Sequence, residues 1–151
     1  MDRIKDNEAT VLVVEDNAVD ALFIQKALKN SKIVEDVTIA IDGRKALDYL
    51  QRIEDATIKT RETLPKLIIL DLRMPHMDGF EFLHHLRSFP KFKVIPVVIF
   101  SGSSDEHDKK MALNLGADSF YTKPLSIDSF ITTIEEIGKF WLQPNSIEGS
   151  R

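Results

Sequence analysis

Five residues with reactive or ligating side chains fall just past strand-like runs. They are Glu15 and Asp16 after 11–14, Asp71 after 67–70, Ser101 after 97–100, and Lys123, followed by Pro124, after 118–122. In an open α/β sheet the carboxyl ends of parallel strands converge on one crevice, where ligands bind. Such a fold would gather three carboxylates, one hydroxyl and one ammonium. The carboxylates repel one another unless a cation or shared protons neutralise them. A single lysine leaves surplus negative charge, so a hard, oxygen-seeking cation such as Mg²⁺ is the expected partner. Asp16 is then the direct ligand, with Glu15 acting through water or holding Asp16 in place. Asp71 is the carboxylate placed to share the cation with a phosphate donor, attack phosphorus and become an acyl phosphate. Of the three equatorial oxygens, the cation takes one, the Lys123 ammonium a second, and the Ser101 hydroxyl with backbone N–H groups the third. A cis Lys123-Pro124 bond would turn the chain sharply and aim the lysine into the crevice.

The elements needed to position this set are legible as five alternations of apolar strand and amphipathic helix, the pattern of a parallel sheet covered on both faces. Strands are expected at 10–14, 36–40, 66–70, 95–100 and 119–122. Helices are expected from the N-cap Asn17 to 30, then over 43–53, from the Met77-Asp78-Gly79 turn to 88, over 105–115, and over 126–141. Gly116 carries the signal of a helix C-terminus. Residues 54–65 exceed the usual two to six of such a connection and read as a surface insertion or an extra helical turn. Residues 1–9 read as an extension, 10–142 as a single domain, and 143–151 as a flexible tail.

Composition narrows the function classes. A chain of 151 residues is one domain with room for a sizeable core. A net charge of −4, with 20 Lys and Arg residues dispersed along the chain, argues against a nucleic-acid face. The absence of cysteine removes disulfides and thiolate metal sites and fits a reducing compartment. No apolar stretch reaches membrane-spanning length and the polar start is not a signal peptide, so a cytoplasmic location is expected.

At this point the motifs resemble those of a known family. Val-Leu-Val-Val-Glu-Asp ending at Asp16, Leu-Ile-Ile-Leu-Asp-Leu-Arg-Met-Pro around Asp71, Met77-Asp78-Gly79, Phe100-Ser101-Gly102, Gly116-Ala117-Asp118 and Thr122-Lys123-Pro124 are similar to the response-regulator receiver domains of two-component signalling. The spacings of thirty residues from Asp71 to Ser101 and twenty-two more to Lys123 agree. The resemblance covers residues 10–142. It implies a flavodoxin-like receiver fold, a doubly wound five-stranded parallel sheet in the order 2-1-3-4-5. It implies that Asp71 accepts phosphate from a histidine kinase and that Mg²⁺ is held by Asp16, Asp71, Glu15 through water, and the backbone carbonyl of Arg73. Ser101 and Lys123 would bind the phosphoryl group. Ser101 and Phe120 would form the switch, Phe120 falling where the family keeps a rotating aromatic. The 54–65 insertion and the closing Lys139-Phe140-Trp141-Leu142 are similar to stand-alone regulators that serve phytochrome-type kinases. Output is then expected through protein contact, including a homodimer on the face of helix four, strand five and helix five.

Other readings meet specific obstacles. A phosphatase with an Asp nucleophile needs a second acid two residues later, where this chain has Arg73. An FMN-binding protein needs a Ser/Thr/Gly-rich loop after strand one, where Glu15-Asp16-Asn17 repels phosphate. A receiver-like module that only binds is the remaining alternative, and the intact Asp71, Ser101 and Lys123 argue against it. The Arg73 side chain, over the site entrance, could shield an acyl phosphate, pair with a phosphate oxygen, or orient water. His84 and His85 point to different helix faces, and His76 and His107 read as surface residues. Trp141 continues the apolar stripe of Phe130, Ile134 and Ile137. Phe140 falls off it and is a candidate partner contact.

Overall fold

Val11, Leu12, Val13 and Val14 are all buried, as are Leu67–Leu70 and the residues of Val97–Ser101. Strands without polar alternation have no solvent-facing side, so both faces of their sheet must be covered by helices. The computed structural model describes residues 9–55, 57–58 and 63–142 and shows that arrangement. In chain order the elements are β1 (Thr10–Val14), α1 (Ala18–Asn30), β2 (Asp36–Ala40), α2 (Gly43–Glu54), β3 (Leu67–Leu70), α3 (Gly79–Ser88), a 3₁₀ turn (Pro90–Phe92), β4 (Val97–Ser101), α4 (Glu106–Asn114), β5 (Ser119–Thr122) and α5 (Ile127–Leu142). The five strands are parallel in the order β2-β1-β3-β4-β5, the expected sheet.

Alternate strand residues feed two cores. Leu12, Val14, Ile68, Leu70, Val97 and Ile99 pack with α2, α3 and α4 residues such as Leu50, Phe82 and Ala112. Val11, Val13, Leu67, Ile69, Val98 and Phe100 pack with Ile24 and Leu28 of α1 and with Phe130, Ile134 and Ile137 of α5. The same alternation sends Phe120 to the first core and Tyr121 to the second. Trp141 joins the second core while Phe140 is 66% exposed. All four histidines are exposed.

Helix starts follow their caps. Asn17 Oδ1 accepts from the N–H groups of Val19 and Asp20, each at 3.0 Å. Asp78 and Glu81 form a reciprocal capping box at the start of α3. Several boundaries differ from the sequence expectation, most by a single residue. β3 begins at Leu67. β4 begins at Val97, because the backbone of the buried Ile95 closes a turn onto Phe92 O at 3.1 Å and Pro96 has no N–H to donate. Asp105 caps α4 from outside, accepting from His107 N at 2.9 Å. In the 54–65 stretch, α2 ends at Glu54, and the Asp55 carboxylate accepts from the Thr57 N–H and hydroxyl. Residues 56 and 59–62, the 1–8 extension and the 143–151 tail lie outside the described residues.

Gly79 is fixed by close approach rather than by backbone angle. A Cβ there would lie 2.8 Å from Leu72 Cα, in the backbone that carries Asp71. Gly102, beside Ser101, has open space instead, with nothing within 4 Å. We expect Gly79→Ala to lower unfolding free energy by about 1–3 kcal/mol in urea denaturation, and Gly102→Ala by less than about 0.5 kcal/mol. Equal effects would contradict this account of the β3–α3 loop.

Candidate functional site

Each site residue inherits its position from the sheet. Glu15 N donates to Ala40 O at 2.9 Å, Asp71 N to Val14 O at 3.0 Å, and Lys123 N to Ser101 O at 2.7 Å. The backbones of these three residues therefore extend the strand ladders by one step, while their side chains stand at the sheet's carboxyl edge. Ser101 ends β4, paired with Thr122. The Lys123-Pro124 bond is trans, as are all peptide bonds among the described residues. No unusual bond is needed to bring the lysine in.

Carboxylate oxygens of Glu15, Asp16 and Asp71 lie within 4.8 Å of one another. Glu15 and Asp71 are buried, whereas Asp16 is exposed at the mouth. Lys123 Nζ sits 2.8 Å from Glu15 Oε1 and 3.6 Å from Asp71 Oδ2. It also bonds Asp20 Oδ2 at 2.7 Å. Asp20 is a fourth carboxylate that the sequence reading did not single out. Its position in the first turn of α1 reads equally well as an acid favouring the helix dipole, and only the fold turns it toward Lys123.

The charge balance shows in the protonation of the buried groups. Burial pushes the Glu15 carboxyl up to about 7, and the Asp71 charge adds to the rise. Hydrogen bonds from Lys123 and the Asn17 N–H pull in the opposite direction. Burial also works against the Lys123 charge, but bonds to Asp20 and Glu15 and the Asp71 charge more than offset it, holding the ammonium above its usual range. One cation among four carboxylates leaves a negative site made of hard oxygen donors. Such a set fits a divalent metal ion.

Ser101 is buried and its Oγ accepts from Ser103 N at 3.3 Å. Phe120, one strand away on β5, is half-buried against the first core. The Arg73 side chain does not stand free over the entrance. Its Nη2 donates to Asp108 Oδ2 at 2.6 Å and its guanidinium lies 5.5 Å from the Phe80 ring centre. Ser103 Oγ donates to the same Asp108 oxygen at 2.9 Å. Asp108 gave no signal within its charged helix start, since its burial depends on loops distant in sequence.

Residues 11–135 match the response regulator receiver domain, and the chain belongs to that family. Among proteins similar to it is FilR2, a probable methanogenesis regulatory protein of Methanothrix harundinacea, 34% identical over 92% of this chain and 87% of the relative. Response regulator Rcp1 of Synechocystis sp. is 33% identical over 88% of each chain. The Mn²⁺-bound form of Rcp1 superimposes with a TM-score of 0.79 at 32% identity, covering 89% of this chain and 94% of that one. The phosphorylated cyanobacterial phytochrome response regulator RcpA gives a TM-score of 0.81 at 34% identity, with the same coverage of 89% and 94%.

The raised Glu15 carboxyl makes a signed prediction for metal-free protein. Between its ordinary value of 4.5 and about 7, folded Glu15 holds a proton that the unfolded chain has released. The folded state binds more protons in that window, so this contribution to stability falls as pH rises. In chelator, the parent's melting temperature should therefore fall relative to that of Glu15→Gln as pH rises from about 5 to about 8. Parallel profiles for the two proteins would contradict the placement of Glu15.

Proposed function

We propose that the protein is a response regulator that takes a phosphoryl group from a histidine kinase onto Asp71 in a Mg²⁺-dependent reaction. The observation that supports it most is the meeting of Glu15, Asp16 and Asp71 oxygens within 4.8 Å, with Lys123 Nζ 3.6 Å from Asp71. Asp16, Asp71 and the Arg73 carbonyl would hold the metal, with Glu15 acting through water. When bound, the ion supplies positive charge that lets an anionic phosphodonor approach and shields the equatorial oxygens. An Asp71 oxygen attacks phosphorus as the bond to the donor nitrogen breaks, and the histidine keeps that electron pair. Lys123 is already held beside Asp71 and takes one phosphoryl oxygen. The Ser101 hydroxyl takes another by leaving the Ser103 N–H.

Similarity to the cyanobacterial phytochrome response regulator RcpA supports a phytochrome-type kinase as the donor. Output follows from the Ser101 movement. A hydroxyl drawn toward phosphate vacates space beside β5 that Phe120, half-buried and two strands from Asp71, can enter. The α4–β5–α5 face would change with it, and coupling of this kind is typically about 1–3 kcal/mol. Phe140 at 66% exposure and Leu113 at 41% give the α5 and α4 sides apolar contacts, which supports a symmetric homodimer there.

Incubation with Mg²⁺ and acetyl phosphate, read by intact mass, tests the reading. The parent should gain one phosphoryl group, and both Asp71→Asn and chelated parent should gain none. Full labelling of Asp71→Asn would overturn the assignment. Light scattering of the parent with a stable phosphate mimic should show a dimer that Phe140→Ala weakens. A monomer at high concentration would remove the dimer while leaving the chemistry intact.

A further inference from the structure

Arg73 lies two residues after Asp71, and Ser103 two residues after Ser101. Each therefore sits on the loop that follows a site residue, and their side chains meet on one oxygen. Asp108 Oδ2, in the first turn of α4, accepts from Arg73 Nη2 at 2.6 Å and from Ser103 Oγ at 2.9 Å. That oxygen joins the β3–α3 loop, the β4–α4 loop and α4. Ser103 is also tied back to the site, its N–H donating to Ser101 Oγ at 3.3 Å and its carbonyl accepting from Thr122 Oγ1 at 3.3 Å.

The exposures say which partner is anchored. The Asp108 side chain is 7% exposed and the Arg73 side chain 64%. An acid so placed is stable in ionised form only with donors on it. The Ser103 hydroxyl, with burial opposing it, and then the Arg73 guanidinium hold Asp108 below the usual carboxylate range. Arg73 is the long, solvent-facing member, and its guanidinium is committed to α4 while also resting over the Phe80 ring. An exposed ion pair alone contributes little. This one differs because its carboxylate is shielded and shared with a second loop.

We infer that Asp108 is a positioning residue which, through Arg73 and Ser103, ties the two loops flanking Asp71 together and slows hydrolysis of a phosphoryl group carried there. The inference rests on the phosphorylation reading above. In that hydrolysis a water oxygen bonds to phosphorus and the bond to the Asp71 oxygen breaks. The electron pair returns to the carboxylate, and both water protons leave with the inorganic phosphate. The tie holds the rim between β3 and β4, which water has to cross. It also keeps the guanidinium on Asp108 instead of leaving it to orient that water. Ser103 bonds both Asp108 and the Ser101 hydroxyl, so the tie and the switch share a residue.

The test is a double-mutant cycle on decay of the phosphorylated protein. Parent, Asp108→Asn, Arg73→Ala and the double variant are labelled with acetyl phosphate and Mg²⁺, the donor is removed, and the fraction still phosphorylated is followed by intact mass. Either single variant should lose phosphate faster than the parent by roughly three- to tenfold. The double variant should decay no faster than the faster single variant, since each change breaks the same tie. Arg73→Lys, which preserves the charge pair, should recover most of the parent's lifetime. A general loss of structure would instead give additive effects and no rescue by lysine. Parent that labels while the singles decay at the parent's rate, more slowly, or additively would overturn the inference alone. Parent that never labels would overturn the phosphorylation reading itself.

Discussion

The surplus of negative charge at one edge of the sheet is the constraint on which the rest of the molecule depends. Glu15, Asp20 and Asp71 surround the ammonium of Lys123, with Asp16 beside Glu15 and Asp71, and among the described residues no second cation is paired with these carboxylates. Water cannot relieve this imbalance at Glu15 and Asp71, which are buried. Glu15 responds by holding its proton toward neutrality and Lys123 by holding its charge more firmly. Neither response neutralises the site. A divalent cation would do so, and the oxygen donors are of the kind such an ion prefers. Asp16 is the exposed member, at the mouth where an ion would enter.

Holding like charges together requires a frame that does not yield. The frame is the parallel sheet, whose ladders continue through the backbone N–H groups of Glu15, Asp71 and Lys123. Gly79 packs directly on the backbone of Asp71 and Leu72. Asp71 is thus held through its backbone, while the neighbouring loop after β4 is held by bonds that each involve a side chain, from Ser103 to Asp108 and to Ser101 and from Thr122 to the Ser103 carbonyl. Movement on phosphorylation should concentrate where the restraints are fewest, which is that loop and α4 rather than the sheet.

The sequence made the strands, their two-sided burial and the Glu15, Asp16, Asp71, Ser101 and Lys123 set legible, because each signal is local, whereas the strand order followed only from the family resemblance. Four-residue apolar runs mark central strands, and a polar residue directly after one lies at the sheet's edge whatever else the chain does. The start of β4 was misplaced because Ile95 is apolar for the sake of the core while its backbone belongs to a turn. Asp20 and Asp108 were missed for a different reason. Their partners lie 103 residues away for Asp20 with Lys123 and 35 for Asp108 with Arg73, and neither periodicity nor composition reports such a meeting. The Arg73 side chain was expected over the site entrance, but its guanidinium goes to Asp108 of α4 instead. Side-chain destinations at loop crossings are set by tertiary packing and were legible only in the fold.

If the charge imbalance governs the site, metal affinity must depend on each carboxylate in turn. Calorimetric titration of Mg²⁺ into the unphosphorylated protein at neutral pH measures this without any phosphodonor or kinase. The account predicts one binding site per chain, weakened at least tenfold, about 1.4 kcal/mol, by Asp16→Ala and again by Asp71→Asn. Undiminished binding in both variants would contradict it.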